Sequence, residues 1–462
     1  MWDVVDRAGE RRRGPRLRGV FAAFVCIGFV TTATVIEVPR ALRVRLAHAI
    51  GAPLVARVFG ESLPLNGPRW NREWGASATP GAIQAAVAAS CPGRTTRVVS
   101  LHNPRFHETS LHFAYQDATD PRLRELDATL GLSALRTDTA DELQLFRRIT
   151  SLVRGLADHT DAGASDQYPH NGSRDAFAIV RAARNGQTLN CFTYSMLLIQ
   201  SLAAMGYTSR LVSAGYSEPR EHGAVEAWST QYHKWILLDP DNDLLYMRGD
   251  VPLSALDLQQ VESSVERHFQ QWAVEQERDP SSLELAEFVN THPELLEGVR
   301  PVRGPVQSGR IPRILGRTPT RIALEMYRSF SVSLRNDYLS VSYPLLHPQR
   351  WGEAAPPAGA AHWLAAFDGV FVDNVADLYW PLDVVRMAFA PAGDSCAVRV
   401  SFGTVTPGFR GLLITTNGEA GREMIGSTML WNLTDGENSI AVRAVNQQGV
   451  QGELSSATIL VQ

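Results

Sequence analysis

Lysine is almost absent from this chain. Of its 44 basic side chains Lys234 is the one lysine and the rest are arginine, a bias that reads as a GC-rich, bacterial coding genome rather than as function. Its chemical consequence is that the protein offers almost no amines for cross-linking to itself. Cysteine is scarce as well: with four in 462 residues, disulfides are not what holds the fold together. An excess of positive charge is also missing. A net charge of −4 and a pI near 6.3 supply no basic surface that would neutralise phosphates, which argues against nucleic acid as the main partner. Nor do the histidines stand at metal-ligand spacing, since His102, His107 and His112 recur at intervals of five, which matches no ligand pattern.

Enough apolar sequence remains, at 44%, for most of the chain to fold, and its length suggests two to four domains at about 100 to 200 residues each. Arg7, Arg11, Arg12, Arg13, Arg16 and Arg18 precede an uncharged apolar run from Gly19 to Ile36. At ~1.5 Å per residue that run reaches about 27 Å, the thickness of a bilayer core, and the arginines before it favour a cytoplasmic N-terminus. Residues 1–45 are therefore expected to be a basic segment and a single transmembrane signal anchor. The body would lie outside the cytoplasm whether or not the signal is cleaved.

Residues 46–119 carry no clear assignment beyond a hairpin expected from the alternating stretches Arg97–His102 and Ser110–Tyr115. From Asp120 the apolar spacing turns helical: Leu123, Leu126 and Leu130, then Leu143, Phe146, Ile149 and Val153. A further helix is expected over Ala176–Ala183, and one apolar on nearly every side over Cys191–Met205, the mark of a helix buried within a domain. Strands are expected at Ser209–Ala214, Gly223–Ser229 and Lys234–Asp239. Residues 261–320 read as a helical extension followed by a Pro, Gly and Arg-rich linker from Val302. Residues 321–462 read as β-rich.

The chemistry concentrates at three residues. A thiolate is stabilised in the first turn of a helix, where unpaired N–H groups and the dipole place partial positive charge. Cys191 holds that position, with Thr188 or Asn190 as N-cap and Gly186 turning the chain into the helix. His222 and Asp239 bracket a hairpin. A symmetric turn between Thr230 and Gln231 would set them directly opposite each other, so that the carboxylate accepts from Nδ1 and leaves Nε2 for the thiol. Asp241 competes for the third place. Glu226 and Trp228, on the face of His222, would wall the cleft, whereas His159, His170 and His233 read as loop or surface residues. Cys91 and Cys396 remain a candidate disulfide pair.

The motifs N-G-x-x-x-N-C-F-T-Y-S-x-x-L around Cys191, A-x-G-Y-x-S-R-L-V over residues 204–212, H-G-x-V-E-x-W-S, K-W-I-L-L-D-P-D-N-D and P-L-S-A-L together resemble the transglutaminase-like superfamily over residues 120–260. The resemblance implies an α+β fold related to papain-like proteases, with the nucleophile at the start of a central helix packed on an antiparallel sheet. It implies Cys191 as nucleophile, His222 as general base and acid, and Asp239 as the residue that orients it, with no cofactor and no metal. The backbone N–H of Cys191 would be one oxyanion donor. A second has no clear place because Asn190 precedes the cysteine, and Gln187 is a weak candidate. The pattern W-x-L-x-x-G-x-N-x-I-x-V-x-A-x-N-x-x-G from Trp431 resembles the last strands of immunoglobulin-like or fibronectin III-like sandwiches.

The expected function is thiol acyl transfer on an amide bond of a protein or peptide outside the cytoplasm, as amidase, peptidase or transamidase. A non-catalytic scaffold of the cell envelope with the same fold is the alternative. A metal site built on Cys191 and His222 lacks a fourth ligand at known spacing.

Overall fold

Each of the longer helices begins at a side chain that accepts a hydrogen bond from the first turn, where backbone N–H groups lack helical partners. In the computed structural model, α1 (Pro80–Ser90) is capped by Thr79, α2 (Pro121–Leu130) by Asp120, α3 (Glu142–Arg154) by Asp141, α4 (Ala176–Arg184) by Asp175, α5 (Cys191–Ala204) by Asn190 and α6 (Ala255–Glu275) by Ser254. The structure describes residues 78–104, 113–136, 141–159, 175–214, 222–280, 283, 288–289, 291–296, 298–304, 330–339, 348–351, 370–372, 375–393 and 395–462. The apolar run expected to cross a membrane lies outside them. Among the described residues no helix is long and apolar enough to do so.

Strand β1 (Thr96–His102) belongs to a C-terminal sheet. The central sheet is built on β2 (Ser209–Ala214), β3 (His222–Ser229), β4 (Lys234–Asp239) and β5 (Leu244–Arg248), each antiparallel to the next. Strands β6 (Val251–Pro252) and β7 (Val299–Arg303) both pair with β5. On the far side β8 (Phe330–Ser333) pairs with β2, followed by β9 (Pro348–Trp351) and β10 (Val370–Val372), which joins in parallel. The chain is thus a mixed helix-and-sheet fold, as expected of an α+β protein.

Helices cover both faces of this sheet, so β3 alternates between two apolar cores rather than between core and water. Val225 and Ala227 face α5, itself surrounded by α2, α3 and α4. Ala224 and Trp228 face a second core with Trp235, Leu237 and the α6 residues Leu258, Val261 and Val265. The short α7 (Val375–Leu378) leads into the same core through Trp380.

The C-terminal strands are β11 (Val385–Pro391), β12 (Ala397–Thr404), β13 (Phe409–Thr416), β14 (Arg422–Met424), β15 (Thr428–Asn432), β16 (Gly436–Asn446) and β17 (Ser455–Val461). They form two sheets, β1-β17-β16-β13-β14 and β11-β12-β15, that share one apolar core with α1. Here the structure differs from the expected hairpin. Strand β1 pairs along its length with β17, and Phe113–Tyr115, the described part of its expected partner, instead bridges to Arg335 through Ala114. Cys91, just after α1, is bonded to Cys396, just before β12. The sheets also draw together stretches that the sequence reading kept apart. Val302 and Arg303 of the expected linker lie in β7, and β8 from the expected C-terminal region completes the central sheet.

Candidate active site

Asn190 starts α5 by accepting at Oδ1 from the Thr193 backbone N–H (2.9 Å) and from Thr193 Oγ1 (2.8 Å). Cys191 is therefore the first helical residue, a half-buried free thiol at the positive end of a helix whose later residues are buried on almost every side. Strand β3 reaches this end at His222 and Gly223. A Cβ on Gly223 would stand 3.2 Å from Phe192 Cα and 3.4 Å from the Cys191 carbonyl carbon. Glycine lets the strand come this close, and the approach sets His222 beside the Cys191 thiol.

His222 Nε2 and Asp239 Oδ2 are 2.9 Å apart, and both residues are nearly enclosed, at 7% and 4% exposure. The route to this contact differs from the one expected. The hairpin pairs Val225 with Leu238, Trp228 with Trp235 and Ser229 with Lys234, two residues out of the anticipated register, because the turn takes in His233 in a left-handed conformation (φ 50°). A slip of two preserves the face of every side chain. His222 now lacks an opposite number within β4 and reaches Asp239 diagonally, a span that a long or aromatic side chain covers. The ring is also reversed from expectation: Nε2 is committed to the carboxylate, which leaves Nδ1 for the thiol.

Asp239 is organised by the turn that follows it. Its Oδ1 accepts from the backbone N–H groups of Asp241 and Asn242, both at 3.1 Å, and its Oδ2 accepts from Asn242 Nδ2 at 2.9 Å. Asn242 was not singled out in the sequence, although an Asp followed three residues later by Asn in D-P-D-N is the sort of Asx turn that yields such bonds. Burial by itself would raise the Asp239 pKa, but the His222 charge and these donors outweigh it and hold the carboxyl below its usual range. Burial would likewise lower His222, yet the Asp239 carboxylate, its hydrogen bond and the Cys191 sulfur raise it well above the ordinary imidazole value. The arrangement favours an imidazolium that is anchored by a carboxylate and lies beside the Cys191 sulfur.

Other residues fall differently. Asp241 pairs elsewhere than with His222: its Oδ1 lies 2.6 Å from Nδ1 of His159, which is paired here rather than solvated, on a segment bridging to Leu189. Glu226 and Trp228 do not wall a cleft. Glu226 is fully buried against Arg210, its register partner on β2, with Oε2 2.7 Å from Nη2 and 3.0 Å from Nε. Its Oε1 accepts from the Ala255 N–H and the Tyr379 hydroxyl, each at 2.8 Å. The Arg210 guanidinium stacks 4.0 Å from the Trp235 ring centroid, while Trp228 packs edge-on to Trp235 in the same core. Gln187 is exposed. His233 lies 3.5 Å from Glu453, which also meets His102 at 2.7 Å, and His107, His112 and His170 fall outside the described residues.

No protein-family model matches the chain, and no curated protein matches it.

Proposed function

We propose that this chain is an extracytoplasmic, membrane-anchored cysteine acyl-transfer enzyme with a transglutaminase-like core, acting on an amide bond of a protein or peptide. The observation that carries the reading is the His222–Asp239 hydrogen bond beside the Cys191 thiol, at the start of a buried helix packed on an antiparallel sheet. The sequence motifs around the three residues support the family, the two C-terminal sheets with their shared core support an immunoglobulin-like or fibronectin III-like sandwich, and the arginine-flanked apolar run supports the topology.

The thiolate attacks the carbonyl carbon, and a C–S bond forms as the C–N bond breaks. The imidazolium of His222 gives its proton to the departing amine. Water or a second amine then attacks the thioester, its proton passes to the imidazole, and the thiolate leaves. Asp239 stays ionised throughout and holds the ring.

The test is alkylation of the purified protein with a chloroacetamide. Rapid labelling of Cys191, lost in His222→Ala, is expected of the enzyme. Labelling no faster than that of an ordinary exposed cysteine and indifferent to His222 would point to the scaffold instead. Incubation with envelope material followed by intact mass measurement then identifies the acyl group left on Cys191.

A further inference from the structure

Attack on a carbonyl drives an electron pair onto its oxygen, and fixed donors aimed at that oxygen lower the barrier most when they need no rearrangement. The Cys191 backbone N–H is one such donor, with no hydrogen-bond partner among the described residues. The side chain next to it supplies another. Both bonds that cap α5 fall on Asn190 Oδ1, which fixes the plane of the carboxamide and decides which end is the NH2. Asn190 Nδ2 has no partner among the described residues and is not enclosed, as Asn190 is half-buried in the way Cys191 is. A pinned, accessible amide donor thus stands at the same helix pole as the nucleophile and its free N–H. Asn242, the other amide near the triad, has its Nδ2 engaged by Asp239.

We propose that Asn190 Nδ2 is the second oxyanion donor, an inference that rests on the acyl-transfer reading. When the Cys191 thiolate forms the C–S bond, the carbonyl π pair moves to oxygen, and the resulting oxyanion accepts from the Cys191 N–H and from Asn190 Nδ2. Collapse returns the pair to the C=O bond and expels the leaving group, protonated by His222. Capping and catalysis use different atoms of one side chain, so they can be separated.

Asn190→Asp and Asn190→Ser both keep an acceptor for the Thr193 N–H and rank with asparagine as N-caps, but neither presents an amide donor. The full-length protein and both variants are compared in two reactions of the same thiol. Alkylation by chloroacetamide displaces chloride at a saturated carbon and forms no oxyanion, whereas acylation by p-nitrophenyl acetate does, and is read as released nitrophenolate and as the acetyl-enzyme mass. Alkylation of Asn190→Ser is expected to stay within about threefold of wild type. Acylation of both variants is expected to fall by about 10²- to 10³-fold, the effect of losing one such donor elsewhere. Acylation that drops no further than alkylation in both variants overturns the assignment of Asn190 alone. A wild-type Cys191 that alkylates rapidly yet is never acylated overturns the acyl-transfer reading, and this inference with it.

Discussion

Gly223 leaves room for Phe192: a Cβ added to the glycine would lie 3.2 Å from Phe192 Cα and 3.3 Å from its backbone nitrogen. Neither is the tip of a flexible side chain, so relief has to come from moving β3 away from the first turn of α5. That shift opens the gap between His222 and Cys191. Gly223→Ala is expected to fold and to slow chloroacetamide alkylation by about tenfold, since small misplacements of reacting groups carry large rate penalties. Gly223→Val should be slower still. Equal rates in wild type and both variants would show that the close approach does not set the geometry of the pair.

Two aspartates two residues apart should behave differently. Asp239 carries the His222 bond and accepts three more hydrogen bonds from the 241–242 turn, whereas Asp241 serves His159. Asp239→Asn is expected to slow acylation by about 10²- to 10⁴-fold through loss of charge and of tautomer control. Asp241→Asn should cost less than about threefold. Rates from stopped-flow acylation decide the matter, and the reverse order would move the third role to Asp241.

Stability should also report on the His222–Asp239 pair. The folded pKa of His222 is raised above 6.5, so its contribution is complete below about that pH and is lost as pH rises through the higher folded value. The Asp239 pKa is lowered from 3.8, so its contribution is complete above about that pH and is lost as pH falls through the lower folded value. Both are present together between about pH 4 and 6.5. Urea midpoints measured across pH 3 to 9 should show wild type losing stability relative to His222→Gln on either side of that window. Parallel curves would mean that the ion pair does not persist in solution.

Arg210 and Glu226 form a different kind of test, because neither side chain is exposed. Removing one partner strands the other charge, so Glu226→Leu and Arg210→Met are each expected to destabilise the fold by about 3 to 5 kcal/mol. Glu226 also caps the first N–H of α6 and holds the Tyr379 hydroxyl. The double variant should recover part of the loss in a denaturant double-mutant cycle, while Cys191 alkylation in the folded fraction stays unchanged. Additive single effects would show that the pair is not coupled.

Local sequence carried the site further than it carried the architecture. Helix periodicity marked the apolar stripes of α2 and α3 and placed α4 and α5 within a residue at each end, because a helix is specified by neighbours along the chain. Parity along β3 and β4 put His222 and Asp239 on one face, which survives a register slip of two but cannot detect one. The pairing of β1 with β17 was hidden for a related reason: an alternating strand fits any complementary edge, and nothing local says which. Glu226 read as a cleft wall because its partner, Arg210, sits on a neighbouring strand whose register no turn fixes. His159 read as a loop residue because Asp241, which holds it, lies far along the chain.

For the proposed acyl transfer, the scarcity of lysine and the place of the one lysine bear on what accepts the acyl group. Self-cross-linking requires an amine on the protein that reaches the thioester of another copy. Lys234 is partly buried at the start of β4, and its Nζ is 2.6 Å from Asp257 Oδ2. Asp257 is committed in turn, as the third residue of the capping box that starts α6, accepting from the Ser254 backbone N–H at 2.7 Å. Freeing the amine would break an ion pair and loosen a helix start, and the ammonium must also lose a proton before it can attack. Water needs no binding site of its own, so hydrolysis is expected to exceed transamidation. Peptide substrates supplied with and without a labelled primary amine should give mainly hydrolysed product by mass spectrometry. Amine incorporation that outpaces hydrolysis at millimolar amine would reverse the preference. Ladders of the protein joined through Lys234, and absent in Lys234→Arg, would show that the Asp257 bridge does not keep this amine from the reaction.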